Sequence, residues 1–185
     1  MSTLPRIPCR ALRPGERLQD FVAFDFETAT YQQMPCSLGI THVVHGEIRS
    51  SFSQLIQPPE NRFDEALTRI HGIRPEHTKD ALEWPALWHI LAPYFESHLP
   101  LVAHNAPFDL GVLTKACLHY ELTPPSLDRV YCTYKTTKIR LAKWIAHLNL
   151  REEDHHEAAF DSKVCALLAL EYQRDPSLGG LIQLG

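Results

Sequence analysis

Short apolar runs separated by turn residues predict five strands in this chain of 185 residues. The run 21–28 combines β-branched and aromatic residues and has the length of a buried strand. Short connections join the first three runs, which favours an antiparallel meander. The predicted strands are 21–28, 37–44, 48–56, 101–103 and 127–132.

Helical periodicity covers much of the remaining sequence. Apolar residues recur at three- and four-residue intervals, and Pro85 suits the first turn of a strongly amphipathic segment. The predicted helical segments are 62–70, a short one from 74 onward, 84–98, one with Asp109 in its first turn, 136–148 and 157–173. Because helices link the later strands, we expect an α/β fold with a mixed five-stranded sheet, antiparallel in its first three strands and flanked by helices.

Length and composition indicate one domain with short extensions. Hydrophobic residues make up 44% of the chain and charged residues 22%, which is typical of globular proteins. We expect the domain to span 20–175 and a peripheral tail to span 176–185. Four arginines and three prolines lie within residues 1–19, and this density of prolines predicts a flexible leader. The alternative for this leader is a basic arm that contacts nucleic-acid phosphates.

Net charge and the distribution of cysteines restrict the possible functions of the protein. The formal net charge of -4 argues against a broad basic surface for nucleic acid, but not against a nuclease whose acids hold metal ions. The five cysteines are scattered without a C-x-x-C motif, which favours free thiols in a reducing compartment over a zinc or redox site. No signal core or membrane-spanning apolar run is present, so a cytoplasmic location is expected.

Two acids stand inside the first apolar run. Asp25 and Glu27 are two residues apart, so on a strand their side chains point to the same face. Buried like charges are very costly unless a cation neutralises them. The pair therefore indicates a metal site if the strand is buried, whereas at a sheet edge both acids would be solvated.

Two further acids and a histidine extend this hypothesis. Asp109 opens a helix directly after a strand, and Asp161 lies on the apolar side of the last helix. Acids in such positions are most often caps or exposed side chains. If all four converge, their charge matches two divalent ions such as Mg²⁺ or Mn²⁺. His156 precedes the last helix, and an imidazole is suited to remove a proton from water near neutral pH.

Three short motifs resemble those of a known family. The segments 25–27, 104–109 and 156–161 read D-F-E, H-N-A-P-F-D and H-E-A-A-F-D. In this order they are similar to the three exonuclease motifs of the DnaQ-like 3′–5′ exonucleases. The H-x-x-x-x-D spacing of the third motif is that of the DEDDh branch, which includes the proofreading epsilon subunit of DNA polymerase III, ribonuclease T and oligoribonuclease. The resemblance runs from about residue 20 to residue 173.

The resemblance implies a ribonuclease H-like fold and a metal-dependent exonuclease that releases nucleoside monophosphates from 3′ ends. By position, Asp25, Glu27, Asp109 and Asp161 would be ligands of two Mg²⁺ or Mn²⁺ ions, with His156 as the general base. His155 has the wrong spacing and is interpreted as a solvated neighbour. The residues implied to contact the terminal nucleotide are Thr28, Ile70, His71, Asn105 and Phe108. For Ile70, Ile73 and Phe108 the alternative is ordinary core packing.

Several functional alternatives remain open at this point. The segment 132–154 is more compact than its counterpart in the family, and the leader has no counterpart among the motifs. The first hypothesis is an exonuclease acting on single-stranded or frayed DNA, and the second is an exoribonuclease that trims short RNAs. The third is a silent exonuclease fold used as a binding module. Single-stranded nucleic acid is the expected partner, with a polymerase or another replication or repair protein as a further candidate and no membrane.

Overall fold

A computed structural model of the chain describes residues 7–177. Its strands form one sheet in the order β3-β2-β1-β4-β5. The three strands β1, β2 and β3 pair antiparallel, whereas β4 lies parallel to β1 and β5 lies parallel to β4. The strands are Phe21–Thr28 (β1), Pro35–Val44 (β2), Glu47–Leu55 (β3), Leu101–Ala103 (β4) and Val130–Cys132 (β5). The mixed five-stranded α/β arrangement expected from the sequence is confirmed.

The residues that the structure describes form seven α-helices and two short 3-10 helices. The α-helices are Glu65–His71 (α1), Pro75–Thr78 (α2), Trp84–Glu96 (α3), Ala106–His119 (α4), Thr133–Thr137 (α5), Leu141–His147 (α6) and Ala158–Arg174 (α7). The single helix predicted over 136–148 is wrong, because Lys138 adopts a left-handed conformation with φ 61° and ends α5. The fifth strand is shorter than predicted, since its partner β4 offers only three residues for pairing.

Alternation along β1 separates two hydrophobic clusters. Val22, Phe24 and Phe26 belong to the cluster that contains the buried residues of α3 and α4. Phe21 and Ala23 belong to the cluster on the other face, which α7 covers. The odd-numbered positions of β1 therefore face α7, and this alternation directs the two acids of the strand toward that helix.

The segment 7–19 lies against the sheet, so the expectation of a flexible leader is wrong for these residues. The amide of Arg10 donates to Val130 O at 3.0 Å, and the amide of Cys132 donates to Arg10 O at 2.8 Å. Leu12 and Leu18 are 2% and 6% exposed in the cluster beneath α7. These contacts cover the open edge of β5 and bury two leucines, which offsets the unfavourable proline content. Residues 1–6 and 178–185, the ends of the predicted leader and tail, lie outside the described residues.

The side chain of Arg10 in this segment contacts other residues of the chain. The Arg10 guanidinium donates to Glu16 Oε1 at 2.6 Å and stands over the Tyr131 ring at 4.4 Å from its centroid.

All five cysteines are free thiols. Among residues 7–177, no helix combines the length and the hydropathy needed to cross a bilayer.

Candidate active site

Three carboxylates meet where β1 faces the first turn of α7. Asp25 and Glu27 come from alternate positions of β1, and Asp161 comes from the helix. One carboxylate oxygen from each of the three lies within 4.8 Å of the others. Glu27 is 8% exposed and Asp161 is 3% exposed, so the cluster is largely removed from water. Carboxylate oxygens in this arrangement could hold a hard divalent cation.

A glycine on β2 allows α7 to approach the sheet this closely. Gly39 lies opposite Asp25 in the β1–β2 register. A Cβ atom at Gly39 would stand 1.8 Å from Ala158 O and 2.6 Å from Ala159 N. Any other residue at this position would therefore push away the first turn of α7, the turn that carries Asp161.

Polar contacts from the sheet hold the same turn in place. The Ser51 hydroxyl donates to Ala159 O at 3.1 Å, and the Ser53 hydroxyl donates to Glu157 Oε1 at 2.8 Å. Glu157 also caps the helix, accepting hydrogen bonds from the amides of Ala159 and Phe160. The start of α7 is thus bonded to β3 and capped by its own side chain.

The fourth predicted ligand, Asp109, approaches from the opposite side of β1. It lies in the first turn of α4, is 2% exposed, and lines the same cleft as the other three acids. Its Oδ1 accepts a hydrogen bond from the amide of Phe26 at 3.0 Å. The group of oxygens within 4.8 Å of one another leaves Asp109 out, so the structure brings three of the predicted ligands together and keeps the fourth in the adjoining wall.

Burial and mutual repulsion make ionisation of these acids unfavourable. Removal from water raises the pKa of Asp25 well above its usual range, and the charges of Asp109 and Asp161 raise it further. For the same reasons the pKa of Glu27 rises to about 8. Burial likewise raises the pKa of Asp109 to about 8, against the hydrogen bond from Phe26. A bound cation would favour the ionised forms, which is the behaviour expected of a metal site.

Two adjacent histidines lie beside Asp161. The amide of His156 donates to Asp161 Oδ2 at 3.0 Å, and the His156 backbone has the left-handed φ of 71°. The rings of His155 and His156 stack with centroids 3.9 Å apart. Burial, reinforced by the charge of His155, lowers the pKa of His156, so its imidazole is neutral and can accept a proton near neutral pH.

His155 is not the solvated neighbour that its spacing suggested. Its side chain is 22% exposed, and its Nδ1 lies 2.9 Å from Asp161 Oδ2. With His156 and Asp161 it forms a second group of candidate ligands. Sequence spacing could not reveal this contact, because the left-handed turn at His156 brings both rings to the same side of the loop.

A third histidine, His104, is the first residue of the motif 104–109. His104 lines the cleft, and its Nδ1 lies 2.9 Å from Thr133 Oγ1. Burial lowers the pKa of His104 to about 4, so its ring is neutral. Leu67 and Leu141 also line the cleft, and nothing in their apolar sequence surroundings distinguishes them from core residues.

The residues expected to contact the terminal nucleotide lie in two neighbouring pockets. Thr28, Ile70, His71 and Phe108 line the cleft with the carboxylates, whereas Asn105 lines the adjoining pocket. Ile70 is 52% exposed and Phe108 is 37% exposed, so the core-packing alternative is wrong for both. They give the cleft an exposed apolar wall.

A hydrogen-bonded histidine connects this wall to β1. The amide of Ile73 donates to His71 Nδ1 at 3.0 Å. The other ring nitrogen, Nε2, therefore carries the proton and donates to Thr28 O at 3.1 Å. Burial lowers the pKa of His71, which favours this neutral form. The end of α1 is thus held beside the strand that supplies two of the carboxylates.

Comparison with known proteins gives matches in sequence. A family model described as "Exonuclease", of the RNase T type, matches residues 22–169. A PolC-type DNA polymerase III of Clostridium perfringens is 28% identical over 158 residues. The match covers 80% of this chain and 11% of the polymerase, so the chain spans about a tenth of the length of that relative.

Solved structures share the fold at low sequence identity. The nuclease domain of 3′hExo, described as a DEDDh family member bound to rAMP, has a TM-score of 0.70 at 16% identity, covering 85% of this chain and 93% of that one. Exonuclease X in complex with 5′ overhanging duplex DNA has a TM-score of 0.65 at 22% identity, covering 83% and 91%. These likenesses confirm the fold expected from the sequence.

Proposed function

Because the chain belongs to the exonuclease family, which is part of the DnaQ-like superfamily, we propose that it degrades single-stranded or frayed DNA from the 3′ end. The products are nucleoside 5′-monophosphates, released in a metal-dependent reaction. The observation that carries this proposal is the meeting of Asp25, Glu27 and Asp161 within 4.8 Å, with Asp161 bonded to the amide of His156. This cluster lies in a cleft whose other wall is exposed and apolar.

The donor set fits hard divalent ions, and we propose Mg²⁺ or Mn²⁺. Its ligands are carboxylates, which these ions prefer, and burial raises the pKa of Glu27 and of Asp109, so a bound cation would stabilise their ionised forms. The proposed ligands of two ions are Asp25, Glu27, Asp109 and Asp161. When bound, such ions activate the attacking water and stabilise charge on the phosphate and the leaving oxygen.

The other side chains of the site have separate roles in the proposed reaction. The neutral imidazole of His156 removes a proton from the attacking water, whose oxygen bonds to phosphorus as the bond to the preceding 3′ oxygen breaks. That 3′ oxygen leaves on the shortened strand and takes up a proton from solvent, and His156 releases to solvent the proton that it accepted. Ile70 and Phe108 pack against the terminal base and sugar, and His71 holds the end of α1, which carries Ile70, through Thr28 O.

The proposal also includes a protein partner and an alternative substrate. The similarity to a PolC-type polymerase supports a chain that works beside a polymerase or another replication or repair protein. The likeness to an rAMP-bound nuclease supports RNA as the alternative substrate. A silent binding module is disfavoured, because the four acids and His156 all line one cleft.

A digestion time course tests the reaction and the substrate together. A 5′-labelled single-stranded DNA and the matching RNA are incubated with Mg²⁺, with Mn²⁺ and with chelator. We expect a DNA ladder that shortens from the 3′ end only with metal, and no ladder from Asp161→Asn. Trimming of RNA alone would move the function to RNA processing. Two intact substrates under all conditions would overturn the proposal.

A further inference from the structure

A second pocket adjoins the candidate active site. It is lined by His104, Asn105, Tyr134, Arg140 and Leu141. His104 and Leu141 also line the cleft with the carboxylates, so the two depressions share a wall. A polymer whose end lies at the carboxylates would therefore have this second pocket as its direct neighbour.

The second pocket offers an aromatic face and a free cation. The Tyr134 side chain is 38% exposed, with its ring packed edge-on against His104 at a centroid distance of 5.7 Å. Arg140 is exposed at the start of α6, and its side chain makes no ion pair or hydrogen bond with any residue of 7–177. An exposed aromatic ring beside an unpaired guanidinium suits a base and its neighbouring phosphate.

The sequence around this pocket has an unusual charge distribution. The chain is acidic, with 18 Lys and Arg against 22 Asp and Glu. From residue 129 to residue 151, however, it contains no acid. The basic residues of this segment are Arg129, Lys135, Lys138, Arg140, Lys143 and Arg151.

Three of these cations are neighbours in sequence of residues that line the pocket, and one of them, Arg140, lines it directly. Lys138, Arg140 and Lys143 are exposed, and within the described part of the chain none of their side chains has an acidic partner. Arg49 on β3, in comparison, is paired with Glu47. We call Arg140, Lys138 and Lys143 the rim: an acid-free, positively charged segment that borders the pocket and would attract a phosphate backbone toward the cleft.

We propose that this rim binds the nucleotides preceding the 3′-terminal one in a single-stranded nucleic acid. Tyr134 stacks on a base, and Arg140 pairs with a backbone phosphate. The proposal rests on the exonuclease function proposed above and deepens it, because it assigns the path of the strand outside the catalytic cleft. It also gives a role to the compact segment between β5 and α7.

Strand binding without turnover gives the first test. Fluorescence anisotropy in chelator measures the affinity for a labelled single strand of about 20 nucleotides. Tyr134→Ala should weaken binding about 5- to 150-fold. Arg140→Gln should make the slope of log affinity against log salt shallower by about 0.7, the value for one phosphate contact in a single strand. Tyr134→Phe, which keeps the ring and its contact with His104, should restore binding.

Controls separate this inference from the exonuclease function itself. Arg49→Gln removes the same charge from β3, away from both pockets, and should bind like the wild type. With Mg²⁺, the ratio of kcat/KM for the long strand to that for a dinucleotide should fall in Tyr134→Ala and Arg140→Gln. Unchanged affinity in both variants, or an equal loss of kcat/KM on the two substrates, would overturn the proposed role of the rim in binding the strand. A wild type that binds the strand through the rim and hydrolyses nothing would overturn only the exonuclease function.

Discussion

Replacing Gly39 with alanine is expected to displace the start of α7 and, with it, Asp161. The new Cβ would stand 1.8 Å from Ala158 O, and contacts below 3.0 Å essentially never occur for real Cβ atoms. The nearest atoms are all backbone, so no side-chain rotation can relieve the clash. The helix or the strand must therefore move by about 1 Å, and overpacking of this kind costs about 1–3 kcal/mol.

The displacement should affect activity more than folding. The melting temperature should fall by about 2–12 °C, while a shift of about 1 Å in a catalytic group should lower kcat about 100-fold. Gly111→Ala is the matched control, because its Cβ would meet only Gln33 Oε1 at an ordinary 3.6 Å. Circular dichroism melting and the oligonucleotide assay are run on both variants. Wild-type stability and activity in Gly39→Ala would refute the argument that α7 needs this close approach.

Three further predictions concern the charges, the base and the leader. The pKa values of Glu27 and Asp109 are raised to about 8, so their contribution to the stability of the metal-free protein is present below about pH 4 and is lost as pH rises through about 8. Mg²⁺ should therefore raise the melting temperature more at about pH 8.5 than at about pH 6, and equal shifts would contradict this account. His156→Ala should lower kcat about 10²- to 10⁴-fold and His155→Ala much less, so equal losses in steady-state kinetics would remove the distinction between them. Leu12→Ala should reduce the free energy of unfolding in urea by about 2–5 kcal/mol, whereas an unchanged midpoint would place the leader outside the folded domain.

Local patterns in the sequence predicted the sheet and the acids well, because both depend on short-range regularity. Alternation along β1 placed Asp25 and Glu27 on one face, and the face is the one that α7 covers. The antiparallel pairing of the first three strands followed from the short connections of the meander. The spacing of the third motif singled out His156 and Asp161, which lie side by side.

Features that depend on contacts distant in sequence could not be predicted. The prolines of the leader predict a flexible segment, yet Leu12 and Leu18 reach a cluster made mainly by β1 and α7. The break after α5 rests on a left-handed lysine, for which the sequence offers no glycine as a signal. The contact of His155 with Asp161 depends on the backbone turn at His156 rather than on residue type.

Binding of Mn²⁺ tests the central claim most directly, because the claim is that the carboxylates of β1 and α7 form a metal site. Crystals grown with Mn²⁺ and a nucleoside 5′-monophosphate would locate the ion by its anomalous scattering. We predict Mn²⁺ bound by Asp25, Glu27 and Asp161, with the nucleotide against Ile70 and Phe108. Mn²⁺ bound only elsewhere, with these three carboxylates bonded to one another or to His155, would contradict the account.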